Sequence, residues 1–185
     1  AGVPDLEQWM VDTLWMCSHK SAEIGKIEYE KRNVRFFECP LQPEDLTGHQ
    51  ELVRKPGVDI ALGEHFRSRY QMEQWVKEPR ALDIYQPDIG RTGFTDYMVQ
   101  LSITSDAGIK TTPHMGTGVS VFQAATLQCA AVASPDYLQE FQGGLSDMLK
   151  EASDSRWQYK EGGFTLPDRP GIGVEINEEL LEPFI

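Results

Sequence analysis

Apolar positions along the chain fall into short runs, each followed by a stretch with helical spacing. Residues 8–13 (QWMVDT), 34–38 (VRFFE), 58–64 (VDIALGE), 82–88 (LDIYQPD), 109–114 (IKTTPH) and 136–141 (DYLQEF) read as six strands. Between them, residues 21–33, 43–55, 68–78, 92–108 and 118–133 read as helices. The second opens on Pro43, Glu44 and Asp45, as helix starts do, and Gly108 suits a C-cap. The stretch 118–133 is apolar nearly all round, which predicts a buried helix. A short helical piece over 145–152 follows, then a Gly- and Pro-rich tail over 161–177 with turn chemistry throughout. Alternating strand and helix units predict an α/β fold of parallel strands joined by crossover helices. No internal linker or low-complexity tract interrupts the pattern.

Each predicted strand ends on an ionisable residue: Asp12, Glu38, Glu64, Asp88, His114 and Glu140, at intervals of 26, 26, 24, 26 and 26. This is a structural repeat without sequence identity. In a (β/α)₈ barrel the C-terminal strand ends converge on one face, so groups from successive strands meet around one point. Carboxylates gathered there repel one another unless a cation balances them. Asp12, Glu38 and Glu64 offer three hard oxygen donors with no cysteine or clustered histidine among them, a set that suits Mg²⁺. Asp88 and His114 fall on adjacent strands, and a carboxylate beside a histidine fixes its tautomer and raises its basicity.

Taken singly, an Asp or Glu at a strand end is most often a helix N-cap or a solvated loop residue, and a histidine after a proline is most often a hydrogen-bonded loop residue. Six of them at near-constant spacing shift the balance toward a shared site. His65, directly after Glu64, either faces that site as a substrate contact or lines the loop. His19 and His49 lack strand-end placement and read as surface residues. Arg67 and Arg69 either cap a helix start, bind a substrate carboxylate or simply lie on the surface, the last being the usual case.

Composition narrows the function classes. The chain has 185 residues, 40% apolar and 25% charged, enough for one domain with a sizeable core. A net charge of −12 argues against nucleic acid or an anionic membrane surface as partner. Three widely spaced cysteines, Cys17, Cys39 and Cys129, form no C-x-x-C pair, which points to packed, reduced thiols and a cytoplasmic setting. The opening AGVPDLEQWMVD reads as the approach to a strand already inside a domain, so the chain is expected to be the C-terminal part of a longer protein.

The ordered motifs VDTLW, FFECPL, ALGEHF, DIYQPDIGRTGFTD, TTPHMGTG and LQEF resemble the C-terminal barrel of the enolase superfamily, and within it the mandelate racemase-like branch that includes acid-sugar dehydratases. The resemblance covers nearly the whole chain. It implies a partial barrel holding strands 3 to 8, without the first two strands and the N-terminal capping domain. Residues 1–150 would be the catalytic domain and 151–185 a tail packed on the barrel or the capping domain. It also implies Mg²⁺ bound by Asp12, Glu38 and Glu64, and His114 as a base paired with Asp88. Glu140 would donate a hydrogen bond to the substrate carboxylate or its enediolate. A small acid-sugar or hydroxy-carboxylate substrate and a homo-oligomeric whole protein are further implications.

The expected reaction is removal of the proton α to a carboxylate, then loss of water from an acid sugar. The runner-up is a cycloisomerase, epimerase or racemase acting through the same enediolate, and the non-enzyme alternative is an inactive binding barrel. Two departures stand out. The family's Asp-x-Asn at the first metal ligand is here Asp12-Thr13-Leu14, and no K-x-K motif occurs in the chain.

Overall fold

The computed structural model describes residues 9–116, 120–133, 138–142, 153–155, 158–166, 168–180 and 182. Five β/α units run in order: β1 (Val11–Asp12), α1 (His19–Glu30), β2 (Phe37–Glu38), α2 (Leu46–Arg54), β3 (Ile60–Leu62), α3 (Arg69–Val76), β4 (Ile84–Tyr85), α4 (Ile89–Asp106), β5 (Lys110–Thr111) and α5 (Ser120–Ala133). The strands form one sheet in the order β1-β2-β3-β4-β5, and every neighbouring pair is parallel. Strand order equal to chain order, with a helix in each crossover, is the winding of a barrel wall.

The register explains which side chains face which layer. Phe37 pairs with Ile60, and Leu62 with Tyr85. These four pack outward with Ala22 of α1, Leu52 of α2, and Met72, Trp75 and Val76 of α3 in the main core. Each large aliphatic or phenylalanine side chain fully buried here is worth roughly 1.5–3 kcal/mol. The alternate positions Phe36, Ala61 and Ile84 form a separate small cluster on the other face. Glu38 pairs with Ala61, so its side chain stands on that inner face, at the end of the column.

Helix starts carry caps legible in the sequence. The Ser18 side chain accepts from Ser21 N–H, Asp45 from Gly48 N–H, and Asp88 from Arg91 N–H. α4 begins at Ile89 rather than Thr92 and kinks at Gly93 (φ 70°, ψ 164°), a backbone that suits glycine. α5 is largely buried as its composition predicts, with Ala124, Leu127 and Cys129 in core clusters. The three cysteines are free thiols, two of them buried.

Four expectations need correction or limits. The sixth predicted strand makes no backbone ladder over its described residues, 138–142. Side chains hold it instead: Thr112 Oγ1 donates to the Leu138 carbonyl, and Gln139 Nε2 donates to the Pro113 carbonyl at 2.8 Å. His49 is not a surface residue but fully buried, because its face of α2 packs on Trp15 and Trp75. The predicted helix over 145–152 lies outside the described residues. The tail is more regular than its turn-rich composition suggests: β6 (Ser153–Ser155) pairs antiparallel with β9 (Val174–Ile176), and β7 (Gln158–Lys160) with β8 (Gly163–Thr165). Phe164, Leu166, Ile172 and Val174 pack against the Met115, Ala124 and Leu127 cluster. Among the described residues, no helix is long and apolar enough to cross a membrane.

Candidate active site

The strand ends converge as the spacing predicts. Asp12 pairs in register with Glu38, and an isolated parallel bridge joins Asp88 to His114, extending the β4–β5 pairing beyond the strands proper. The His114 N–H donates to the Pro87 carbonyl at 3.0 Å, which seats the ring beside the Asp88 side chain.

Asp88 has two functions at once. Its Oδ1 accepts from Arg91 N–H at 3.1 Å and caps α4, while its Oδ2 lies 2.8 Å from His114 Nδ1. The cap anchors a carboxylate that is only 7% exposed, so the imidazole meets a fixed partner. With the Nδ1 proton directed at Asp88, Nε2 is the nitrogen left to exchange a proton. Nε2 lies 3.2 Å from Glu64 Oε2 and 3.9 Å from Glu140 Oε2. Burial pulls the His114 pKa down, but the Asp88 hydrogen bond and the charges of Glu140, Glu64 and Asp88 outweigh it, leaving the pKa above the ordinary histidine value.

Glu140 reaches the site without a strand. Its Oε2 accepts from Met115 N–H at 2.9 Å and its Oε1 from Gln142 Nε2 at 3.1 Å. Its pKa is raised, mainly by burial, against the opposing pull of His114 and these two donors.

Asp12, Glu38 and Cys39 bring a carboxylate oxygen, a carboxylate oxygen and a sulfur within 4.8 Å of one another. Glu38, 8% exposed, has its pKa pushed up to about 7 by burial, partly relieved by a Gln86 hydrogen bond and reinforced by Glu140, Asp12 and Glu64. A carboxylate so crowded by negative charge is one that a bound cation would return to its ionised form. Cys39 does not extend that donor set, because burial raises its thiol pKa far above the working range and leaves it a neutral, soft group. The remaining donors are hard oxygens, and they fit Mg²⁺. Glu64 sits beside this group with its oxygens engaged by Trp15 Nε1 and His114 Nε2. The chain reaches it through Gly63 (φ 143°), where a Cβ would lie 2.6 Å from the Tyr85 ring.

His65 points elsewhere. Its ring is packed among Trp15, Phe66 and Trp75, and both nitrogens are shut off from solvent without a hydrogen bond. Burial, with His49 and Arg91, lowers its pKa to about 4. The residue as a whole is half-buried, and neither ring nitrogen is part of what it leaves exposed. The site also contains residues that the sequence did not single out: Trp15, Gln86 and Gln142. None sits at a repeat position, although Trp15 and Gln86 both fall inside strand-end motifs, VDTLW and DIYQPD.

A parallel β/α wall that carries a histidine–carboxylate pair and a cluster of acidic residues at its C-terminal strand ends has the layout of a barrel-type active site. A sequence model of the enolase C-terminal domain-like family matches residues 2–180, and the chain belongs to the enolase superfamily. D-galactarolactone cycloisomerase of Agrobacterium fabrum is 31% identical over 161 residues, covering 82% of this chain and 42% of its own length. D-galactonate dehydratase of Cronobacter sakazakii is 30% identical over 172 residues, covering 86% and 44%. The solved structure of an enolase-superfamily member from Agrobacterium tumefaciens superposes with a TM-score of 0.85 at 29% identity, over 92% of this chain and 44% of that one. The chain spans less than half the length of these relatives.

Proposed function

We propose that the protein removes the proton α to the carboxylate of an acid sugar and then expels a β-hydroxyl as water, a dehydratase reaction. The observation that carries this reading is His114, hydrogen-bonded through Nδ1 to a capped, buried Asp88, with Nε2 turned toward the acidic cluster. Asp12, Glu38 and Glu64 would hold Mg²⁺, which would supply Lewis-acid stabilisation of the negative charge that builds up when that proton leaves. His114 Nε2 takes the proton, and Asp88 stabilises the imidazolium that results. The same imidazolium returns its proton to the departing hydroxyl. Glu140, protonated more readily than an ordinary glutamate, donates a hydrogen bond to the substrate carboxylate. In this reading β1 to β5 are the third to seventh strands of an eight-stranded barrel, residues 1–150 carry the catalysis, and 151–185 cover it.

A second outcome shares the first step. The Agrobacterium fabrum relative is named a lactone cycloisomerase, and a ring closed or opened through the same intermediate uses the same residues. The test is run on the whole protein with Mg²⁺ and a panel of acid sugars in deuterated water. Wild type should exchange the α-proton and release a keto acid trapped by semicarbazide. His114→Ala should abolish that exchange with Mg²⁺ affinity nearly unchanged. Exchange that persists in the variant removes His114 from the base role, and exchange without keto acid favours the isomerase outcome.

A further inference from the structure

Trp15 reaches from the loop after β1 to the far side of β2, where its indole N–H donates to Glu64 Oε1 at 3.2 Å. The backbone is bent to make this reach. Leu14 and Trp15 are consecutive left-handed residues, with φ of 49° and 65°. Side-chain-bearing residues adopt this region rarely, so the surrounding contacts must hold them there. The Trp15 N–H donates to the Cys39 carbonyl at 2.7 Å, and its own carbonyl accepts from Gln42 Nε2 at 2.7 Å. The indole stands edge-on to the His65 ring, with centroids 5.0 Å apart and planes at 86°. Clamped in this way, the indole presents a neutral donor to one oxygen of a carboxylate whose other oxygen faces His114.

We propose that Trp15 is a positioning residue that holds Glu64 as a one-oxygen ligand and thereby biases the cation site toward Mg²⁺ over Ca²⁺. The inference rests on the reading of Glu64 as a cation ligand. Mg²⁺ is small and demands near-octahedral single-oxygen donors, whereas Ca²⁺ accepts more ligands and readily takes both oxygens of one carboxylate. The indole N–H holds Oε1 in a fixed direction, so the oxygen turned to a cation is Oε2, the one that faces His114 Nε2 at 3.2 Å in this structure. Because the donor is neutral, it constrains geometry without altering the charge of the site. Partners that orient a ligand in this way typically contribute about 10–100-fold to metal affinity.

The test compares Trp15→Phe, which keeps a ring against His65 but removes the N–H, with Glu64→Gln and with Trp9→Phe as a control. Mg²⁺ and Ca²⁺ affinities are measured on the whole protein by titration calorimetry, alongside melting temperature. Trp15→Phe should lower Mg²⁺ affinity about tenfold and Ca²⁺ affinity much less, so that the preference for Mg²⁺ narrows, with Trp9→Phe silent. Glu64→Gln should weaken both ions. An unchanged ion preference in Trp15→Phe, with Glu64→Gln weakening both ions, overturns the role of Trp15 and leaves the Glu64 ligand standing. Glu64→Gln without effect on either ion removes the ligand assignment and the inference together. Should Trp15→Phe not fold, the indole ¹⁵N–¹H resonance of wild-type Trp15 gives a second readout. It should shift on Mg²⁺ addition while that of Trp9 does not, and a Trp15 signal unmoved by saturating Mg²⁺ overturns the proposal.

Discussion

His114 Nδ1 lies 2.8 Å from Asp88 Oδ2, and the same aspartate caps α4 through its other oxygen. Base and helix start are thus tied to one side chain, and the two roles can be separated by substitution. Asp88→Asn keeps an oxygen for the cap but no longer specifies the Nδ1-protonated tautomer. We expect α-proton exchange to fall by about 10²–10⁴-fold, with thermal stability nearly unchanged. Asp88→Ala should lose the same activity and also about 1 kcal/mol of stability from the missing cap. Equal melting temperatures for the two variants would refute the capping role.

Glu38 predicts how metal-free stability depends on pH. Its folded pKa of about 7 lies above the ordinary glutamate value because burial opposes ionisation. The folded state therefore binds this proton more tightly than the unfolded chain does. The stabilisation it brings is present in full below the ordinary glutamate pKa and is lost as pH rises through about 7, a swing on the order of 3 kcal/mol. In EDTA, Glu38→Gln should match wild type near pH 4 and exceed it by roughly 1–3 kcal/mol at pH 8. Adding Mg²⁺ should reverse that order, by stabilising wild type more than the variant. Urea unfolding at the two pH values, with and without Mg²⁺, measures both effects. A variant no more stable than wild type at pH 8 in EDTA would rule out the crowding at Glu38.

Leu14 occupies a left-handed position (φ 49°) while 65% exposed. Its side chain gains little from burial there, and asparagine tolerates this backbone region better. Leu14→Asn should therefore stabilise the protein, by about 0.5–1 kcal/mol. It would also restore the family's Asp-x-Asn pattern next to Asp12. Denaturant midpoints decide the matter, and a loss of stability would show that Leu14 makes a contact worth more than the backbone strain.

Lys26 is a buried lysine on α1 whose Nζ donates to the Leu52 and Val53 carbonyls at 2.9 and 3.0 Å. Those carbonyls belong to the last turn of α2, where helix ends leave acceptors unpaired and a cation is favourable. Lys26→Met keeps the bulk of the side chain but strands the acceptors. We expect a loss of about 1–3 kcal/mol with metal affinity intact, read by urea unfolding and Mg²⁺ titration. A variant as stable as wild type would mean that solvent reaches these carbonyls.

The site was legible where it depended on strand order alone. Asp88 and His114 are 26 residues apart on neighbouring parallel strands, so one β/α repeat was enough to set them side by side. Asp12 and Glu38 follow the same rule and pair in register. Glu140 kept its place at the site while the strand expected around it did not form over 138–142, because side chains took over the role of the ladder. The burial of His49 is not legible in the sequence, because helix α2 packs it on aromatic rings from the β1 loop and α3, contacts set between units rather than by its own local pattern.

The amino-acid sequence by itself determined the alternation of strand and helix, the parallel order, and one ionisable group at the end of each unit. Short-range periodicity and the geometry of a crossover suffice for these. Only the tertiary structure decided what each group faces: that Glu64 stands between an indole N–H and His114, that Cys39 joins the acidic cluster as a neutral thiol, and that the His65 ring packs among Trp15, Phe66 and Trp75. The physical reason is that side-chain direction at a strand end depends on the left-handed turns at Leu14, Trp15, Cys39 and Gly63 and on neighbours up to 49 residues away. No periodic pattern encodes those relationships.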